Sequence, residues 1–403
     1  MQDAQLPELY PIAGFRLSTV SAGIKKNGSP DLVVMELPAG SRCAAVFTQN
    51  AFCAAPVTVA RENLAAMMPS YLIINSGNAN AGTGMPGLAA ARQCCAALAA
   101  STGVAPEAVL PFSTGVIGER LPVNDIVKAL PQALAGLSET GWADAAAGIM
   151  TTDTVPKAVS RQAVIDGQRV TVTGIAKGSG MIRPDMATML AYIATDVAMD
   201  AGALQQCLER AVARSFNRIT VDGDTSTNDA CVLTATGSCG LPELAAGDPD
   251  YDSVCELIES VCVELATSIV RDGEGATKFV TVAVEQGADD AECLAVAYAI
   301  AHSPLVKTAL FASDPNWGRI LAVVGRAGID ELDIKRVEIW LDEVCIVRDG
   351  GCAPDYTETA GQQVMSRDEL TIRVVLGRGE ASEQVWTCDL SYDYVKINAE
   401  YRT

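Results

Sequence analysis

The stretch Lys177-Gly-Ser-Gly-Met-Ile-Arg-Pro-Asp-Met-Ala-Thr188-Met-Leu-Ala191 joins two apolar runs, Val170 to Ile175 and Met189 to Ala194, through a glycine-rich turn held by Pro184. Both runs have the length and composition of strands, which sets Thr188 at the mouth of the second. By residue type alone, a Thr opening a strand is an ordinary β-branched strand residue. A chemical reading stands beside that one. A threonine that becomes the first residue of a chain can use its own α-amine as general base. The pKa of such an amine, about 7.7 to 8.0, lies near cellular pH, where a base can both take and return a proton. Attack of the Thr188 hydroxyl on the Ala187 carbonyl would give an ester that water then cleaves, freeing that amine.

Outward from this segment, Leu32 to Leu37, Tyr71 to Asn75, Phe279 to Val284, Val337 to Leu341 and Leu370 to Val375 are further strand-like runs. Gly87 to Ala100, Val123 to Leu134, Ala201 to Ser215, Ser253 to Val270 and Ala291 to His302 repeat apolar residues at helical spacing. The alternation never settles into a regular strand-helix repeat. It therefore predicts a mixed α/β (α+β) fold, with mixed sheets under helical cover, in place of a doubly wound parallel sheet. Ala245 to Asp252 and Arg348 to Tyr356 read as surface loops.

The chain has 403 residues, enough for two or three packed units, and a formal charge of -20 with no basic run. That charge argues against a nucleic-acid partner, because phosphate binding is driven by clustered Lys and Arg. Asp3 and Glu8 stand in an N-terminus without a basic start or apolar stretch, so a cytoplasmic location is expected. Cys293 to Ala312, the most apolar candidate span, carries His302, Pro304 and Lys307, which makes membrane insertion costly. Thirteen scattered cysteines suit buried, reduced thiols.

His302, the one histidine, ends an apolar helical pattern and reads as structural, which leaves serine or cysteine triads without a base. With no CxxC and a single imidazole, a Cys/His zinc site has no framework and no metal is expected. The run Gly174 to Gly180 imitates a phosphate loop, but Lys177 precedes glycine where Ser or Thr is required. Asp222 to Asp229 imitates a calcium loop, but Thr227 and Leu233 stand where glycine and glutamate are needed.

Gly178-Ser-Gly-Met-Ile-Arg-Pro-Asp-Met-Ala-Thr-Met-Leu190 resembles the self-cleavage segment of the ornithine acetyltransferase family, the arginine-biosynthesis enzymes also called glutamate N-acetyltransferases. The likeness continues through Ile73-Ile-Asn-Ser-Gly-Asn-Ala-Asn-Ala81, Ser113-Thr-Gly-Val-Ile-Gly118, Thr151-Thr-Asp-Thr154 and Ser215 to Asp229. It extends over Arg271-Asp-Gly-Glu-Gly-Ala-Thr-Lys278, Ser313 to Arg319 and Tyr394 to Thr403. The resemblance implies a layered αββα sandwich, as in the ornithine acetyltransferase/aminopeptidase fold. It implies a ping-pong exchange in which Thr188 takes acetyl from N-acetylornithine and passes it to glutamate.

By the same resemblance Thr114 and Gly115 form the oxyanion pair, and Thr151, Lys177, Thr188, Glu274, Asn398 and Thr403 contact substrate. Cleavage between Ala187 and Thr188 would leave pieces 1-187 and 188-403 that fold together and assemble as an α2β2 heterotetramer. No cofactor is implied. The family contains members that use acetylornithine alone and members that also accept acetyl-CoA, and no residue here separates them. A self-processing N-terminal-nucleophile amidase or aminopeptidase, in which water accepts the acyl group, is the alternative reading.

Overall fold

Period-two alternation sorts the strand residues of the N-terminal half onto two faces. In the computed structural model, which describes residues 6–183 and 189–400, β1 (Arg16–Val20), β2 (Leu32–Glu36), β3 (Arg42–Phe47), β4 (Tyr71–Asn78) and β5 (Val109–Val116) are followed by β6 (Lys157–Ile165), β7 (Gln168–Lys177), β8 (Leu190–Thr195) and β9 (Ala230–Ala235). They form two mixed sheets, ordered β1-β2-β4-β5 and β3-β9-β8-β7-β6. Val33, Met35, Leu72, Ile74, Leu110 and Phe112 of the first sheet face Ala45, Ile175, Leu190, Tyr192, Ala194 and Val232 of the second in one core. Phe112 meets Tyr192 edge-on across it, ring centres 5.3 Å apart.

The other face of the first sheet, through Val34, Ile73 and Val109, lies under Cys94, Cys95 and Leu98 of α2 (Gly84–Thr102) and Ile126 and Leu130 of α3 (Val123–Ala135), with Val59 of α1 (Ala55–Ala66) beside them. Trp142 of α4 (Trp142–Gly148) stacks on Phe15 at 5.2 Å. The outer face of the second sheet is covered by α5 (Ala201–Arg214) and α6 (Tyr251–Arg271). A methyl added at Gly174 of β7 would come within 3.1 Å of Leu265 and 3.3 Å of Val261, so α6 packs directly on the strand. The expected αββα layering is thus the architecture of this unit, which comprises Met1–Asn217 with Asp224–Ile269.

The second unit comprises Arg218–Gly223 with Val270–Thr403. Its strands are β10 (Phe279–Gly287), β11 (Glu338–Leu341), β12 (Val344–Arg348), β13 (Gly351–Cys352), β14 (Glu369–Val375) and β15 (Ala381–Cys388). They make one mixed sheet ordered β13-β12-β11-β14-β10-β15, in which only β10 and β14 run parallel. Helices α7 (Asp290–Ala301), α8 (Pro304–Phe311), α9 (Trp317–Gly325) and α10 (Glu358–Met365) bury Val296, Ile300, Leu310, Val323 and Val364 on Val282, Ile339, Ile372 and Val385. The chain ends in α11 (Tyr392–Glu400).

The apolar run from Cys293 to Ala312 becomes α7 and α8, bent by 58° at their break, and no single helix among the described residues is long and apolar enough to cross a membrane. His302 closes α7 and stacks on Tyr298 at 5.2 Å. The surface-loop reading of Arg348 to Tyr356 is corrected: Arg348 ends β12, and Asp349 and Gly350, both at positive φ (50° and 77°), turn the chain into β13. That Asp-Gly pair is a two-residue hairpin signal.

Candidate active site

In the first unit, parallel strands β4 and β5 place Gly77 beside Gly115 at their carboxyl ends. Gly115 has φ +130°, and a methyl there would lie 2.3 Å from the carbonyl carbon of Gly77, so the two backbones approach in a way that only glycine allows. Asparagines tie the strand ends together. The Ser113 hydroxyl donates to Asn75 Oδ1 (2.5 Å), Asn75 Nδ2 donates to the Asn78 carbonyl (2.8 Å), and Asn228 Nδ2 donates to the carbonyls of Ala79 (2.6 Å) and Ser113 (2.9 Å). Thr114, buried, follows Ser113 in this scaffold. If Gly115 is an oxyanion donor, as the resemblance implies, Gly115→Ala, which forces that backbone away from Gly77, should lower the rate of the implied acetyl transfer about 10²- to 10³-fold. Steady-state kinetics on the folded variant measures it; an unchanged rate would remove Gly115 from that role.

Lys177, the last residue of β7, is buried. Behind it sits Asp153. One oxygen of its carboxylate accepts from Lys157 Nζ (2.7 Å) and from the Gly178 N–H (2.7 Å), and the other accepts the Thr151 N–H (3.0 Å). Burial pushes the Asp153 carboxyl upward, but the charges of Lys157 and Lys177 with the hydrogen bonds from Lys157 and Gly178 outweigh it and hold the group well below the usual carboxylate range. One carboxylate therefore fixes the backbone of both Thr151 and the residue after Lys177.

Three side chains that the residue-by-residue reading did not single out belong to this cluster. Asp153 lay inside a quoted motif. Asp229 follows Asn228 and is buried; burial raises its carboxyl well above the usual range against the Lys177 charge, the Met189 N–H and the Ser226 hydroxyl. Lys25 lies against the strand ends, its Cγ 3.3 Å from where a methyl on Gly77 would stand. Its local sequence, Lys25-Lys26, gives no sign of this, since the partner is remote in the chain.

In the second unit, Glu274 is buried between Gly273 and Gly275. Gly275 has φ +69°, and a methyl there would sit 2.5 Å from the Tyr394 nitrogen, so the turn packs tightly against the start of α11. The Ser391 hydroxyl donates to the Gly275 carbonyl at 2.6 Å. Asn398 Nδ2 donates to Glu274 Oε2 at 2.8 Å and to the Tyr394 carbonyl at 3.0 Å. The structure therefore brings Glu274 and Asn398 together in this unit, while Thr114, Gly115, Thr151 and Lys177 belong to the other. Ala187, Thr188 and Thr403 lie outside the described residues.

The family model described as ArgJ family matches residues 16–403. The chain belongs to the ArgJ family. It is 58% identical over 399 residues to the arginine biosynthesis bifunctional protein ArgJ of Pseudomonas syringae pv. tomato, covering 99% of this chain and 98% of that one. It is 60% identical over 395 residues to the protein of the same name from Methylococcus capsulatus, covering 98% and 97%. Among solved structures, the arginine biosynthesis bifunctional protein ArgJ of Bacillus halodurans is 38% identical with a TM-score of 0.50, over 52% of this chain and 97% of that chain. All the site residues named above, Lys25 included, fall within the ArgJ family match.

Proposed function

We propose that this chain moves an acetyl group from N2-acetylornithine to glutamate through an ester on Thr188, a ping-pong transfer within arginine biosynthesis. Membership of the ArgJ family across almost the whole chain carries the reading: the chain is an acyltransferase of arginine biosynthesis.

In the first half-reaction the Thr188 hydroxyl, its proton taken by the Thr188 α-amine, attacks the acetyl carbonyl. Thr114 and Gly115 receive the developing oxyanion, and collapse expels ornithine, whose amine takes the proton back. Glutamate then attacks the acetyl ester in the reverse sense. Lys177, with Thr151 beside it, holds the α-carboxylate common to both amino acids. Glu274, with Asn398 donating to it, meets the substrate's ammonium, and Thr403 completes the contacts.

Neither metal nor cofactor enters this scheme, and the word bifunctional in the relatives' names supports acetyl-CoA as a second donor at the same nucleophile. The pieces 1-187 and 188-403 stay paired because strand β8, buried along its whole length, lies between β7 and β9, and an α2β2 assembly in the cytoplasm completes the proposal. Incubation with N-acetylornithine and glutamate tests it. N-acetylglutamate is the expected product; free acetate with no acetylglutamate would mean that water is the acceptor and would overturn the transferase reading.

A further inference from the structure

The loop between β1 and β2 is wound around Asp31, whose buried carboxylate accepts the N–H groups of Ala22 (2.6 Å), Ile24 (2.5 Å) and Lys25 (2.9 Å). Three charge-assisted bonds fix the backbone at Lys25 and leave little of that carboxylate for the lysine's own ammonium. The stem of Lys25 then runs along Gly77, the neighbour of Gly115. Its Nζ donates to the Pro30 carbonyl at 2.9 Å and reaches the Gly148 carbonyl at 3.5 Å. Gly148 closes α4 and also accepts from Ser76 at 2.6 Å, so the ammonium is aimed at the rim formed by the β4 end and the residues leading to Thr151.

Its electrostatic surroundings agree with that placement. Burial lowers the Lys25 pKa; Asp31 and Asp153 oppose the shift, and the charge of Lys177 adds to it. Asp153 is already engaged with Lys157. Three ammonium groups, Lys25, Lys157 and Lys177, thus share one corner with the Asp31 and Asp153 carboxylates and with Asp229, whose carboxyl burial pushes toward its neutral form, in a chain whose formal charge is -20. Such a corner is complementary to a ligand with two carboxylates and repels one whose side chain ends in an ammonium.

We propose that Lys25 is a specificity-determining residue of the acceptor half-reaction: its ammonium meets the side-chain carboxylate of an α-amino dicarboxylic acid while Lys177 holds the α-carboxylate. This rests on the reading of glutamate as acceptor and names the group that separates it from ornithine, the acceptor of the reverse exchange. No bond is made or broken at Lys25.

Two rates on the same processed enzyme test the idea: incorporation of labelled ornithine into N-acetylornithine, which needs no glutamate, and transfer from N-acetylornithine to glutamate. In Lys25→Met the ratio of kcat/KM for glutamate to that for ornithine should fall about tenfold or more, and Lys25→Arg should restore it. Lys25→Gln serves in place of the Met variant should that protein fail to fold. A ratio that holds at the wild-type value, whether or not both rates drop together, would assign Lys25 to loop structure and overturn the proposal. Wild-type enzyme that exchanges no ornithine would instead count against the function itself, so the two failures are told apart.

Discussion

Thr188→Ala should migrate on denaturing electrophoresis as a single band of about 42 kDa, the mass of the intact chain, while wild type should resolve into pieces beginning at Met1 and Thr188. The same hydroxyl is asked to attack twice, first the Ala187 carbonyl and then the acetyl group, in a chain whose one imidazole closes α7. Its loss should therefore remove processing and transfer together, the latter by about 10⁴-fold or more, as for other enzymes that lose their nucleophile. Thr188→Ser keeps a hydroxyl and should still process. Under native conditions the wild-type pieces should not separate, because every residue of β8 is buried and laddered to both β7 and β9. Two bands in Thr188→Ala would refute the assignment of the nucleophile.

Strands buried on both faces or alternating cleanly were legible. Leu32–Glu36 matches its expected run to within one residue, and Tyr71–Asn78 and Gln168–Lys177 contain theirs and extend them by a few residues. Other elements hid behind local signals that tertiary context overrode. Pro111 disguises β5, yet that strand is the edge of its sheet, where a missing donor costs least. Pro56 disguises α1, yet it sits in the first turn, where helices accept proline. The Asp349-Gly350 turn was a hairpin signal passed over because Asp, Gly and Pro crowd the segment.

For the site, the resemblance supplied names but not the support beneath them. Asn228 and Asp229 close a run that, by composition, imitated a calcium loop; the structure uses Asn228 to hold Ser113, more than a hundred positions earlier. Lys25 acts across a gap of 52 positions, against Gly77. Contacts of this kind have no period or spacing to reveal them.

On the roles proposed for Thr151 and Lys177, the Asp153–Lys157 pair is where stability and substrate binding meet, and Asp153→Ala should unfold at markedly lower temperature. Both side chains are almost fully enclosed, at 0% and 1% exposure. Removing the carboxylate takes from a buried ammonium the ion-pair partner that stands 2.7 Å away, a change that costs about 3–5 kcal/mol. At about 2–4 °C per kcal/mol for a domain of this size, the melting temperature should fall by roughly 10 °C. The sign of the pH dependence follows from the depressed carboxyl. Its contribution is complete above the ordinary Asp value of about 3.9 and is lost as pH falls through the lower folded value, so wild type and variant should converge in strong acid. Stability alone would not distinguish a structural pair from one that sets the site. Asp153→Ala with Lys157→Met removes both charges and should recover much of the lost stability, yet the Thr151 and Gly178 N–H groups still lack their acceptor. The double variant should therefore keep a raised KM for N-acetylornithine. Recovery of KM along with melting temperature would mean that Asp153 only neutralises Lys157.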